Sequence, residues 1–239
     1  MIPAAILFDL DDTILAPGGG DNMKVWMESV EKHIHLFHGL TPQDLFDEIR
    51  LVADEFWSDP DRHRTGRLNI RRARQQIVGK AAGNLNRPND GATTKLANHY
   101  HNRRESDAVP FEGALETLSH FRDKPIKTAL ITNGSADTQR SKIDRFQLDQ
   151  YFDLILIEGE FGVGKPDPGV YLHIVRELGV TADESWIVGD NLEWEVRAPQ
   201  ELGFFAIWVD HRKEGLPHDG DVIPNKIVNS IHELIDMVA

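Results

Sequence analysis

The sequence predicts an α/β fold: a parallel sheet with helices on both faces, interrupted near its start by an all-helical insert. Three observations carry that expectation. Short, nearly continuous apolar runs recur at 4–10, 128–131, 154–157, 186–188 and 204–209, the pattern of strands buried on both faces. Helix-periodic segments separate the later runs with short connections, which favours parallel strands joined by crossovers. From about residue 18 to 107, by contrast, no convincing strand pattern occurs. The 239 residues therefore divide into a core, 1–17 with 108–239, and a helical insert, 18–107.

Taken in order, the first run ends in Asp9, Asp11, Asp12 and Thr13, and a flexible Pro17-Gly18-Gly19-Gly20 follows. Asp21 is placed to cap a helix over 23–37. Thr41-Pro42-Gln43-Asp44 combines an N-cap hydroxyl, a proline at the first helical position and an acid in the first turn. Helices over 67–85 and 92–104 come next, separated by the turn-rich 86–91. The pattern changes near Val109-Pro110, where helix 112–122 leads into strand 128–131 and helix 135–146. Strand 154–157, helix 168–178, strand 186–188, helix 192–202, strand 204–209 and a last helix over 230–238 complete the alternation. The glycines at 18–20 and the return at 106–110 are where a hinge between the two parts could lie.

Composition narrows the function classes. With 26 Lys plus Arg against 39 Asp plus Glu the formal charge is −13, which disfavours a nucleic acid polymer or an anionic membrane as partner. It permits a small anionic substrate where a cation and local donors offset the repulsion. The absence of cysteine removes disulfides, thiolate catalysis and zinc–thiolate sites. No basic leader and no apolar stretch of roughly 18 residues is present, so a cytoplasmic protein is expected. Nothing in the sequence signals an oligomeric state.

The polar residues just after each apolar run carry the chemistry. The first run ends in Asp9-Leu10-Asp11-Asp12-Thr13, the next in Thr132-Asn133-Gly134; Lys165 lies in the loop after the third, and the fourth ends in Gly189-Asp190-Asn191. Parallel strands would bring these groups to one edge of the sheet, near the topological switch point. Hard oxygen ligands such as Asp9 and Asp190 suit Mg²⁺, which keeps several waters and also coordinates phosphate. Thr132, the Asn133 segment and Lys165 could hold phosphoryl oxygens. Asp9 as nucleophile would split one hard displacement into two easier ones. Asp11 could protonate the leaving oxygen and then activate water, assistance worth about 10²- to 10⁴-fold.

Phe8-Asp9-Leu10-Asp11-Asp12-Thr13 resembles the first motif of the haloacid dehalogenase superfamily, Asp-x-Asp-x-Thr. Ile131-Thr132-Asn133-Gly134, Gly164-Lys165-Pro166 and Val188-Gly189-Asp190-Asn191 resemble its second to fourth motifs, in the family's order. The resemblance implies a Rossmann-like core with a helical cap inserted after the first motif. It also implies Asp9 as nucleophile, Asp11 as acid–base, Thr132, Asn133 and Lys165 as phosphate binders, and Mg²⁺ held by Asp9, Asp190 and the backbone carbonyl of Asp11. Haloacid dehalogenases proper lack an aspartate at the Asp11 position, so Asp11 favours phosphoryl transfer. Many relatives carry Asp five residues after the metal ligand, whereas this chain has Glu195, with Glu193 nearby; either could serve the metal's outer surroundings. The continuation Ser135 to Ile143, with Tyr151-Phe152-Asp153, looks like the branch holding N-acylneuraminate-9-phosphatase and pyrimidine 5′-nucleotidases.

The expected function is thus a magnesium-dependent phosphomonoesterase acting on a small phosphorylated metabolite, a sugar phosphate or nucleotide. A phosphomutase on the same fold is the alternative, with a haloacid dehalogenase or a non-catalytic binding protein behind it. In the insert, Arg67, Arg71 and Arg74 share one helical face if 67–85 is one helix. They are either a solvated face pairing with surface acids, or Arg67 and Arg71 recognise an anionic group of the substrate.

Overall fold

In the computed structural model, which describes residues 2–88, 90–217 and 220–238, the first apolar run becomes strand β1 (Ala5–Phe8). All four of its residues lack exposed surface. Ile6 and Phe8 enter one core while Ala5 and Leu7 enter another on the opposite face, so neither face tolerates a polar residue. The chain continues through β2 (Leu15–Ala16), α1 (Asn22–His33), α2 (Pro42–Ser58), α3 (Pro60–Arg67), α4 (Ile70–Asn84) and α5 (Asp90–Ser106). Next come β3 (Val109–Pro110), α6 (Ala114–Arg122), β4 (Lys127–Thr132), α7 (Ala136–Arg145), β5 (Leu154–Ile157), the single turn α8 (Glu158–Phe161) and α9 (Pro168–Leu178). The last elements are β6 (Ser185–Gly189), α10 (Ala198–Glu201), β7 (Phe205–Val209), β8 (Lys226–Val228) and α11 (Leu234–Met237).

Six strands form one sheet in the order β5-β4-β1-β6-β7-β8, and each neighbouring pair is parallel. The chain builds outward from β1 through β4 to β5, then returns to the other side of β1 with β6. That reversal creates the crevice where open α/β sheets bind ligands. Phe8 is level with Leu130 of β4 and Val188 of β6. Asp9, Thr132 and Asp190 therefore emerge together at the carboxyl edge. Strand β8 escapes a sequence reading because it is three residues long at the sheet edge, with Lys226 and Ile227 exposed.

By packing, the chain divides into two compact units, Met1–Ala16 with Pro110–Ala239, and Pro17–Val109. The second is built on helices. Asp21 caps α1 by accepting the Lys24 N–H at 2.9 Å, and Thr41 with Asp44 forms a full capping box on α2. Their apolar faces meet α4 and α5 in a core containing Val30, Leu45, Ile49, Ile77 and Leu96. The helix expected over 67–85 starts later, at Ile70. The side chain of Asn69, at φ −143°, accepts the Arg72 N–H and starts a new helix, a local bond that competes with helix continuation. Arg67 thus ends α3 while Arg71 and Arg74 lie on α4, so the three do not share one helix face. Of the expected turn 86–91, Asn89 lies outside the described residues. Among the described residues, no helix is long and apolar enough to cross a membrane.

Candidate active site

Asp9 follows β1 directly, its N–H bonded to the Val188 carbonyl of β6 at 2.9 Å. It is buried, and its Oδ1 accepts from Lys165 Nζ at 2.5 Å. Lys165, itself only 1% exposed, also donates to the Ile131 carbonyl at 2.9 Å and is ion-paired with Glu195 at 2.7 Å. The ammonium thus lies among two carboxylates and a backbone carbonyl. Burial would lower the proton affinity of this ammonium, but the charges of Asp9 and Glu195 outweigh it and hold the pKa above its ordinary value.

The lysine's backbone is fixed as well. Asn133 donates Nδ2–H to the Lys165 carbonyl and accepts the Lys165 N–H on Oδ1, both at 2.8 Å. This reciprocal pair locks the loop after β5 to the end of β4. Gly164 is required beside it, because a Cβ there would collide with Asn133 Oδ1 and the Glu158 side chain. Asn133 therefore acts on the site through the loop that carries Lys165.

Asp11 has a different environment. Its carboxylate receives Lys142 Nζ at 2.8 and 3.0 Å and Gln139 Nε2 at 2.9 Å. Burial alone would raise its pKa; Lys142 outweighs that, with help from Gln139, and holds it below the usual carboxylate range. Gln139, almost wholly buried, also donates to Thr132 Oγ1 at 2.5 Å and to the Asn133 carbonyl at 3.0 Å. One amide thus ties Asp11 to the β4 end. Gln139 and Lys142 were missed in the sequence. Their one signal is a three-residue spacing along the helix that Ser135 caps.

Asp190 and Glu195 complete the set. Asn191 starts a π-helical turn over Leu192–Arg197, its side chain accepting the N–H groups of Glu193 and Trp194 at 3.0 Å. The wide turn carries Glu195 back toward the strand end, where its Oε2 accepts the Asn191 N–H at 2.9 Å. Gly189 permits this, since any Cβ would overlap the Glu195 stem. Glu193 points elsewhere, to Arg197 at 2.9 Å on the exposed side. Of the two glutamates, Glu195 is the one in the site. Burial first, then repulsion from Asp9 and Glu195, pushes Asp190 up to about 9. Burial, resisted by Lys165, likewise pushes Glu195 up to about 7.

A cation would relieve that repulsion. Among the described residues no cluster of three or more metal-ligating side chains occurs. Asp9 and Asp190 stand close enough at the strand ends for their carboxylates to repel each other. Two hard oxygen ligands with room for water and phosphate suit Mg²⁺ rather than a softer metal. The Asp11 carboxylate is committed to Lys142 and Gln139, which leaves only its backbone carbonyl for such a role. Arg67 and Arg71 belong to the helical unit: Arg67 lies 3.4 Å from His63, and Arg71 donates to Asn98 and Asn102 at 3.4 and 3.3 Å.

Residues 3–203 match the family of haloacid dehalogenase-like hydrolases. The chain belongs to that family. It is accordingly an enzyme of the hydrolase class. Glyceraldehyde 3-phosphate phosphatase of Methanopyrus kandleri is 28% identical over 98% of this chain and 96% of its own length. Human N-acylneuraminate-9-phosphatase is 25% identical over 96% of this chain and 91% of its own. Among solved structures, the magnesium-bound haloacid dehalogenase-type hydrolase YfnB of Bacillus subtilis superposes with a TM-score of 0.73. It shares 19% identity and covers 100% of this chain and 99% of its own, a likeness of fold.

Proposed function

We propose that this hydrolase is a Mg²⁺-dependent phosphomonoesterase that removes phosphate from a small phosphorylated metabolite through an aspartyl-phosphate at Asp9. One observation carries the reading: Asp9 is buried at the carboxyl edge of β1, bonded to Lys165, with Asp190 just beyond the end of the neighbouring β6. Relatives spanning nearly the whole chain are named for a triose phosphate and an acylated sugar phosphate, which supports a sugar phosphate as substrate class. Residues 1–17 and 108–239 are the catalytic core in this reading, and 18–107 the cap domain. The protein acts in the cytoplasm.

The chain's residues divide the work. An Asp9 carboxylate oxygen attacks phosphorus while the P–O bond to the leaving group breaks. Asp11 delivers a proton to the departing oxygen, so an alcohol leaves. In the second half Asp11 takes a proton from water, the water oxygen bonds to phosphorus, and Asp9 is released with inorganic phosphate. Lys142 holds Asp11 ionised in the free protein, which suits the second half. An arriving phosphoryl dianion raises the proton affinity of Asp11 by like-charge repulsion, which suits the first. Lys165 neutralises and aims Asp9, and Asn133 holds the lysine loop. Thr132 Oγ1 and the N–H groups beyond β4 are placed for phosphoryl oxygens. Asp9, Asp190 and the Asp11 carbonyl would hold Mg²⁺, which would supply positive charge to offset the anionic nucleophile and substrate.

A panel of phosphomonoesters assayed for inorganic phosphate, with Mg²⁺ or with EDTA, tests this. Mg²⁺-dependent release without a bisphosphate activator is expected. Transfer of phosphate only back onto substrate would indicate a mutase, and full activity in EDTA would remove the metal from the mechanism.

A further inference from the structure

The helical unit contains a cavity of about 280 Å³ bounded by α1, α2, α4 and α5. It opens to solvent at the exposed residues Arg50 and Asp54, and its volume approaches the roughly 300 Å³ at which small-ligand sites begin. Its wall is aromatic. Trp26 and Tyr100 stack at 3.6 Å with 8° between their planes, and both are more than nine-tenths buried. Phe46 and Trp57 extend the apolar surface.

The polar lining has the opposite sign to the protein as a whole. Arg50, Arg74 and Arg104 line the cavity, against Asp54 as the carboxylate among the described lining residues. Arg74, with a side chain 13% exposed, is held by Glu105 at 3.0 Å and His101 at 2.7 Å, and its guanidinium lies 5.0 Å from the centre of the Tyr100 ring. Arg104 is pinned by the carbonyls of Gly18 and Gly20 at 3.2 and 2.7 Å. Two of the three arginines are thus pre-positioned, in a chain of formal charge −13. Neither Arg67 nor Arg71 lines this space.

An apolar cavity alone would favour a neutral guest, and surface arginines alone would be satisfied by water. Together they select a molecule with a flat apolar body and an anionic arm, which a guanidinium can grip with two parallel hydrogen bonds. A space of about 280 Å³ accommodates one substituted ring. We propose that this cavity is a binding site for a small organic anion built on a single planar ring. The site stands on the geometry of the helical unit and does not require the phosphatase reading of the core.

Calorimetric titration of the protein with phenylacetate tests it, beside benzyl alcohol and acetate, which each lack one of the two features. Phenylacetate has no phosphoryl group, so the readout is independent of hydrolysis. Saturable phenylacetate binding at least about tenfold tighter than either control is expected, the scale of one charge-assisted contact. Arg50→Gln, at an exposed side chain, should weaken it about tenfold. Ala53→Phe, which fills the cavity, should abolish it. If circular dichroism shows that Ala53→Phe does not fold, Arg50→Gln decides alone. No saturable binding, binding no tighter than that of benzyl alcohol, or binding that Arg50→Gln leaves unchanged would overturn the proposal.

Discussion

Lys165 places its ammonium between Asp9 and Glu195 and donates to the Ile131 carbonyl, with almost no exposed surface. Lys165→Met would leave two buried carboxylates facing each other without a cation. Removing one partner of a buried ion pair costs about 3–5 kcal/mol, so the urea midpoint should fall accordingly, and adding Glu195→Gln should recover part of the loss. An unchanged midpoint would show that the triad does not support the fold. Asp11→Asn should lower turnover of alkyl phosphates by about 10²- to 10⁴-fold and that of aryl phosphates less, because aryl leaving groups need less protonation. Equal losses for both would deny Asp11 its acid role. At this scale the sequence pointed to residues just after an apolar run, Asp9, Thr132, Asn133 and Asp190, with Asp11 two residues on, and to Lys165 in the loop beyond the third run. Gln139 and Lys142 look like ordinary polar positions of a helix and acquire meaning only once α7 is seen beside the β1 loop. The choice between Glu193 and Glu195 depends on a π-helical turn, which 3.6-residue periodicity does not reveal.

Strands β4 and β5 are joined at their starts by one aspartate. Asp153 Oδ2 accepts the Thr128 N–H at 2.9 Å, its N–H donates to the Thr128 carbonyl at 2.9 Å, and Arg122 pairs with its Oδ1 at 3.0 Å. Burial would raise the Asp153 pKa, but the Thr128 N–H and then Arg122 outweigh it and hold it below its ordinary 3.8. A carboxylate whose pKa is depressed on folding contributes stability above its unfolded pKa and loses it as the pH falls through the folded one. Asp153→Asn should therefore cost on the order of 1–2 kcal/mol at neutral pH. Urea midpoints of variant and parent should converge as the pH drops below 3.8; a constant gap at all pH values would contradict this. Strand and helix positions in the core were largely legible because buried parallel strands leave apolar runs and α9 is bracketed by Asp167-Pro168 and Gly179. The start of α3 carried a similar signal in Asp59-Pro60, unread beside the charged stretch that followed. The gap between α3 and α4 was hidden, because Arg67 to Leu85 keeps a helical pattern across the cap at Asn69.

For the molecule as a whole, the division into a stranded core and a helical insert follows from where strand patterns are missing in the sequence. What the sequence does not carry is which side chains of the insert enclose space: Arg74, not Arg67 or Arg71, lines the cavity there. In the proposed mechanism, a cation would offset the repulsion between the site's carboxylates and an anionic substrate. Mg²⁺ should raise the melting temperature of the parent protein, with stabilisation of about 2.7 kcal/mol at a hundred times its Kd. Asp190→Asn should remove most of that shift, and an undiminished shift would place the ion elsewhere.

The proposed nucleophilic role of Asp9 unites these scales, and phosphate release by Asp9→Asn measures it most directly. With Mg²⁺ and whichever phosphomonoester the parent enzyme hydrolyses fastest, the account predicts a correctly folded variant with no release above background. Release at a rate comparable to the parent's would contradict it.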